Sequence, residues 1–285
     1  MKDRSNRGSL SRAALRWGAA AGGAAAAYMA FEAQWVRCIQ ADLAVPGLPR
    51  AWSGLTILHL SDVHAGVFPS NERSLRRAVD WALPLKPDLV FLTGDVLGDP
   101  RYSEACLRIL AQLEPPLGKF AVTGNHEFGI SKGPLARVRR TDHLWAPSGV
   151  TLLRDGCVPL PARDRSTIVI CGADYLTGGF GLPEAVAPFA RGGGPFRLLL
   201  AHEPPAAESP LSELFSLVFA GHTHGGQLRI PTGRGLLPLN AQEGDHLGGV
   251  YKWGHGVLVV SRGIGTSFVP LRLFTRPEAA LWRLV

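Results

Sequence analysis

Five short stretches of this chain carry side chains whose types and spacing suit divalent cations. Ser61-Asp62-Val63-His64 sets a carboxylate and an imidazole two residues apart, and extended backbone turns such a pair to one face, where both can share an ion. Gly94-Asp95 adds a carboxylate after a glycine that permits a tight turn, leaving Asp95 free to bridge. Gly124-Asn125-His126-Glu127 offers an amide oxygen with an imidazole beside it, His202 closes an apolar run, and Gly221-His222-Thr223-His224 repeats the one-spacer pair. The ligand set is therefore Asp62, His64, Asp95, Asn125, His202, His222 and His224, all nitrogen and oxygen donors with no thiolate. That mix suits Mn, Fe, Zn or Mg without choosing among them. Two divalent cations offset by two carboxylates leave a positive site that attracts phosphate.

A lone DxH or GD signifies little, because strand-end Asp and His residues are common turn formers. The weight lies in the order, with each group following an apolar run. Buried strands are expected over 55–60, 89–93, 120–123, 167–171, 197–201, 217–220, 257–261 and 280–284, and helices over 72–82, 103–113 and 135–144. Alternating strands and helices predict α/β layering, and the strand count predicts two sheets packed face to face between helices. Arg191 to Pro195 reads as a surface turn within one domain.

The remaining composition narrows the class. Of the net charge of +7, residues 1–50 supply +4, from seven cations against three acids. The rest is too sparse and scattered for a nucleic-acid footprint. Cys38, Cys106, Cys157 and Cys171 form no CxxC pair and no disulfide framework, and read as packing residues. The N-terminus has a basic stretch ending at Arg16, followed by uncharged, Ala/Gly-rich residues 17–31. This divides the chain into 1–34, a signal or membrane anchor, and 35–285, the catalytic domain. Alanine is weakly apolar and the run is short, so stable spanning is not expected from it alone. Five cations ahead of the run would keep that end cytoplasmic and put the catalytic domain on the far side, with the cytoplasmic face as the alternative. His59 reads as packed within its strand, His143, His246 and His255 as solvated, and Arg229 and Arg262 as candidate phosphate contacts.

The series DVH, GD, GNHE, His202 and GHTH resembles the calcineurin-like metallophosphoesterases. GHTHGGQLRIP at 221–231, SRGIGTS at 261–267 and Pro277-Glu278 resemble their bacterial membrane-associated branch, which includes UDP-2,3-diacylglucosamine pyrophosphatase-like and YaeI/YkuE-like phosphodiesterases. The likeness runs from about residue 35 to the end and implies a four-layer α/β/β/α sandwich of two mixed sheets, with metals at the strand ends. It implies one ion on Asp62, His64, Asp95 and His224, a second on Asp95, Asn125, His202 and His222, and His126 near the leaving group. A hydroxide bridging two such ions would attack phosphorus, and His126 would protonate the departing oxygen. The substrate class so implied is a phosphodiester or pyrophosphate, including a lipid precursor such as UDP-2,3-diacylglucosamine. The competing readings are a broad phosphodiester or nucleotide hydrolase and a metal-binding scaffold without turnover. Pro205 and Ser216 stand where the family often has acids, which affects the pocket rim.

Overall fold

Alternation along the strands sets the layers. In β2 (Thr56–Leu60) and β3 (Leu89–Thr93), Ile57, Leu89 and Phe91 face one way and Leu58, Leu60, Val90 and Leu92 the other, all fully buried. Strands buried on both faces need cover on both. The first set packs against Ile168, Ile170, Leu198, Leu200, Leu217 and Phe219 of a second sheet, closing the inter-sheet core. The second set packs under α2 (Pro69–Ala82) and α3 (Pro100–Ala111) through Leu75, Val79, Leu107 and Leu110. Val169, Leu199, Val218 and Leu258 fill the outer face of the second sheet, against Leu182 and Val186 of α4 (Leu182–Val186) and against Phe215. The computed structural model describes residues 5–130, 140–162, 166–179, 181–189, 195–206, 209–232, 235–239 and 246–285.

The first sheet runs β1-β14-β2-β3-β4-β5, with β1 (Arg37–Leu43), β4 (Lys119–Val122), β5 (Val150–Leu152) and β14 (Glu278–Leu284). The second runs β12-β13-β9-β8-β7-β6, with β6 (Gly156–Pro161), β7 (Thr167–Gly172), β8 (Phe196–Leu200), β9 (Leu217–Ala220), β12 (Gly249–Trp253) and β13 (Gly256–Val260). Both sheets are mixed. β2, β3 and β4 are parallel neighbours, as are β7, β8, β9 and β13. Their carboxyl ends therefore open on one edge of the sandwich, where open α/β sheets bind ligands. A separate ribbon pairs β10 (Arg229–Thr232) with β11 (Gly235–Pro238).

Every expected strand is present within a residue or two. β1, β5, β6, β10, β11 and β12 were not anticipated, being short or lacking an apolar run, and two of them, β6 and β12, close edges of the second sheet. The expected helix over 135–144 falls partly outside the described residues; Asp142–Ser148 is 3-10 helix. The surface turn expected at 191–195 lies almost wholly outside them.

Two cysteine readings need correction. Cys157 and Cys171 form a disulfide directly across β6 and β7, because antiparallel register sets them opposite one another, which linear spacing did not reveal. Cys38 is exposed, whereas Cys106 is buried as expected. At the N-terminus, α1 (Ser5–Glu32) is one helix, and no described helix is long and apolar enough to cross a membrane. Its last turn is tied to the catalytic domain, with the Glu32 carboxylate accepting the backbone N–H groups of Phe274 (3.1 Å) and Thr275 (2.6 Å).

Candidate metal centre

Each candidate ligand sits just past a strand end. Asp62 and His64 follow β2, Asp95 follows β3, Asn125 and His126 follow β4, His202 follows β8, and His222 and His224 follow β9. Backbone bonds lace the loops together, with Asp62 N–H donating to Gly94 carbonyl at 3.0 Å, His64 N–H to Asp95 carbonyl at 2.8 Å and Gly221 N–H to His202 carbonyl at 2.9 Å. The His222 N–H donates to Asp62 Oδ2 at 3.0 Å, joining the two sheets at the site.

Asp62, His64, Asp95, His222 and His224 all have positive φ, between 48° and 71°. Non-glycine residues avoid this region, and such strain gathers at functional sites where the surroundings enforce it. Gly221 explains part of the constraint, since a Cβ there would collide with Ser61 Oγ and Asp62 Oδ2.

The ligand atoms converge in two groups that share Asp95. In one, His64 Nε2 lies 2.9 Å from His224 Nε2 and 3.7 Å from Asp95 Oδ2, and His224 Nε2 lies 3.6 Å from Asp62 Oδ1. In the other, His202 Nε2 lies 3.2 Å from Asn125 Oδ1, 3.0 Å from His222 Nδ1 and 3.4 Å from Asp95 Oδ2. Donors about 2.1 Å from a common cation at octahedral or tetrahedral angles stand roughly 3.0–3.4 Å apart; the second group's spacings, 3.0, 3.2 and 3.4 Å, fall in that range, whereas the first group's, 2.9, 3.6 and 3.7 Å, lie just outside it. His202 Nδ1 faces the Thr93 carbonyl at 2.9 Å, an outer hydrogen bond that leaves Nε2 for a cation. His126 belongs to the same neighbourhood: its Nε2 is 3.9 Å from Asp95 Oδ2, its ring meets that of His64 edge-on at 4.3 Å, and its backbone N–H holds Asp95 Oδ1 at 2.7 Å.

Burial, followed by neighbouring histidines, holds His64 and His224 well below the usual imidazole range, so both are neutral, as ligation requires. Burial also opposes ionisation of Asp95, but His202 and His126 outweigh it and hold the carboxyl well below its usual range. Burial pushes Asp62 up to about 6 against the pull of His202, with the Asp95 charge adding to the rise.

Three supporting residues escaped sequence reasoning. Glu127 is fully buried, and its two oxygens accept four backbone N–H groups, from Asp95 (2.9 Å), Val96 (2.7 Å), Leu97 (2.8 Å) and Gly124 (2.8 Å). The GNHE motif contained it without revealing that role. Arg272 is also fully buried; it donates to the carbonyls of His224 (3.2 Å), Arg262 (2.8 Å) and Thr275 (3.1 Å) and approaches His224 Nδ1 at 3.2 Å. Nothing in its sequence context marks it. Glu203 Oε1 faces His222 Nε2 at 3.6 Å, on the ring edge away from the cluster.

Calcineurin-like phosphoesterase is the family matched by residues 55–226. The chain belongs to it. It is thereby a metal-dependent phosphoric ester hydrolase, and its His/Asp groups are of the kind that bind metal. An uncharacterized metallophosphoesterase of Bacillus subtilis (strain 168), YkuE, is 31% identical over 242 residues, covering 83% of this chain and 81% of that protein. Phosphodiesterase YaeI of Escherichia coli (strain K12) is 30% identical, covering 80% and 82%. A zebrafish (Danio rerio) transmembrane protein with metallophosphoesterase domain is 32% identical over 86% of this chain, which spans 56% of that protein's length.

The candidate site opens into a cavity of about 630 Å³. One end is formed by His64, Asp95, Asn125, His126, His222 and His224, and the wall beyond by Ile130, Tyr175, Leu228, Leu239, Phe268 and Val269. Neither Arg229 nor Arg262 lines it, so neither is placed as a phosphate contact; Arg262 Nε instead faces Glu278 at 3.9 Å. His59 is packed, its Nε2 2.9 Å from Thr93 Oγ1 and its ring edge-on to Phe219. His143 and His255 are exposed as expected, and His246 is half-buried against Tyr251. Gly225, Gly226 and Gln227 form the turn after GHTH, and the last two also line the cavity.

Proposed function

We propose that the chain hydrolyses a phosphodiester or pyrophosphate bond in a molecule with an apolar tail, using two divalent cations. Asp62, His64 and His224 would hold one ion, Asn125, His202 and His222 the other, with Asp95 serving both. Bound cations supply charge to neutralise phosphoryl oxygens and to acidify a water. His126 stands at the cavity end with its backbone fixed to Asp95, and is the proton donor to the departing oxygen. Glu203 orients His222 from the opposite ring edge. The carrying observation is the cavity wall: Leu228, Leu239, Phe268 and Val269 lie beside the candidate ligands, and among the described residues no Lys or Arg lines the cavity. A membrane-lipid precursor such as UDP-2,3-diacylglucosamine is the specific candidate.

The basic N-terminus and the Cys157–Cys171 disulfide together support a membrane-attached protein whose catalytic domain (35–285) is extracytoplasmic, since disulfides persist in oxidising compartments. Residues 1–34 would then serve as signal or anchor. Metal-loaded protein should hydrolyse diacylated sugar-nucleotide or phospholipid diesters with higher kcat/KM than the same headgroups without acyl chains. Equal kcat/KM for both would instead indicate a broad phosphodiesterase.

A further inference from the structure

The β10–β11 ribbon has apolar side chains on both faces. Ile230 stands opposite Leu237 on one face and Pro231 opposite Leu236 on the other, and all four are exposed, Leu237 at 52%. An isolated two-stranded ribbon is marginal in water, and one without a polar face lacks the usual defence of an exposed edge. The ribbon is not isolated from other apolar surface. Its base is bonded to the 272–275 segment, Arg229 N–H to Leu273 carbonyl at 3.0 Å, and the same segment receives the last turn of α1 through Arg272 N–H to Met29 carbonyl at 3.1 Å. Phe268 and Phe274 are exposed beside it, and Leu239, 60% exposed, lies just past the ribbon on the cavity mouth. On α1 and just after it, Trp17, Tyr28, Phe31 and Trp35 are exposed, with Arg276 stacked on Trp35 at 3.8 Å.

We propose that these exposed apolar side chains, on the N-terminal helix, the ribbon and the cavity wall, together seat the protein on an anionic lipid bilayer. Charge chooses the occupant: Lys2, Arg4, Arg7, Arg12 and Arg16 precede the apolar run against the single acid Asp3, and polybasic stretches are drawn to anionic leaflets. Exposed Trp and Tyr favour the bilayer interface. No described helix is long and apolar enough to cross a membrane, and single weak anchors bind reversibly, so firm attachment calls for a second element. The ribbon supplies it and sets the cavity mouth against the lipid. This deepens the apolar-tail reading of the same site, but vesicle binding can be read without any turnover.

The test is co-sedimentation of the full chain with phosphatidylcholine vesicles with and without about 30% phosphatidylglycerol. Wild type should bind the anionic vesicles and weaken in high salt. The combined Ile230→Ser, Leu236→Ser and Leu237→Ser variant should bind roughly tenfold more weakly while hydrolysing a soluble aryl phosphodiester at the wild-type rate. Wild-type binding by that variant, no binding of either vesicle, or a dimer of wild type that the substitutions dissolve would overturn the proposal. The last outcome would assign the surface to a second copy of the chain. Vesicle binding without hydrolysis of any acylated substrate would retain the surface and sink only the substrate reading.

Discussion

The carboxylate of Glu127 holds the backbone of Asp95, its Oε2 accepting the Asp95 N–H at 2.9 Å while Oε1 takes the N–H groups of the next two residues. The candidate bridging ligand, at φ 52°, is thus held through its backbone by a buried acid outside the candidate ligand set. Glu127→Gln should fold yet lose about 10- to 100-fold in metal affinity, because the amide offers one acceptor where two are needed. Metal titration by calorimetry checks this; wild-type affinity would show that Asp95 needs no such support.

Asp95→Asn should impair both ligand groups together, since Asp95 Oδ2 lies within 3.7 Å of His64 Nε2 and 3.4 Å of His202 Nε2. Asn125→Ala should affect only the His202 group. Metal content after gel filtration separates the two: the Asp95 variant should retain little metal, the Asn125 variant about half of wild type.

His126→Ala should keep its metal and lose about 10²–10⁴-fold in kcat on a phosphodiester with a poor leaving group. The loss should shrink for a p-nitrophenolate leaving group, which needs no proton. Unchanged turnover on both substrates would remove His126 from the reaction.

Burial holds His59 down to about 3. The unfolded chain then binds a proton near pH 6.5 that the folded chain refuses, so stability is whole above pH 6.5 and falls as pH drops toward 3. Urea unfolding of metal-stripped His59→Phe should show a loss of about 1 kcal/mol at pH 7, where the Thr93 bond is gone, and a shallower decline from pH 6.5 to 5. Parallel decline in both proteins would assign the acid sensitivity elsewhere.

Much of the fold was readable because its central strands are apolar on both faces, which marks β2, β3, β8 and β9 as buried without any partner being known. The edge strands β6 and β12 are half-exposed and carry no such mark. At the candidate site, the convergence of the candidate ligands was legible because each follows a glycine or a strand end in a fixed order. Glu127 and Arg272 were not, because their work is done through backbone groups distant in sequence: Arg272 reaches the His224 carbonyl across 48 positions. The left-handed backbone of five ligand candidates was equally hidden, as nothing in an Asp or His letter foretells φ above zero.

Two cations joined at Asp95 are proposed to drive phosphodiester hydrolysis. Metal-stripped protein should be titrated with Mn or Zn while hydrolysis of bis(p-nitrophenyl) phosphate is followed. Turnover should be absent at first and climb to a plateau at about two equivalents per chain. Full activity without added metal, or a plateau at one equivalent, would contradict it.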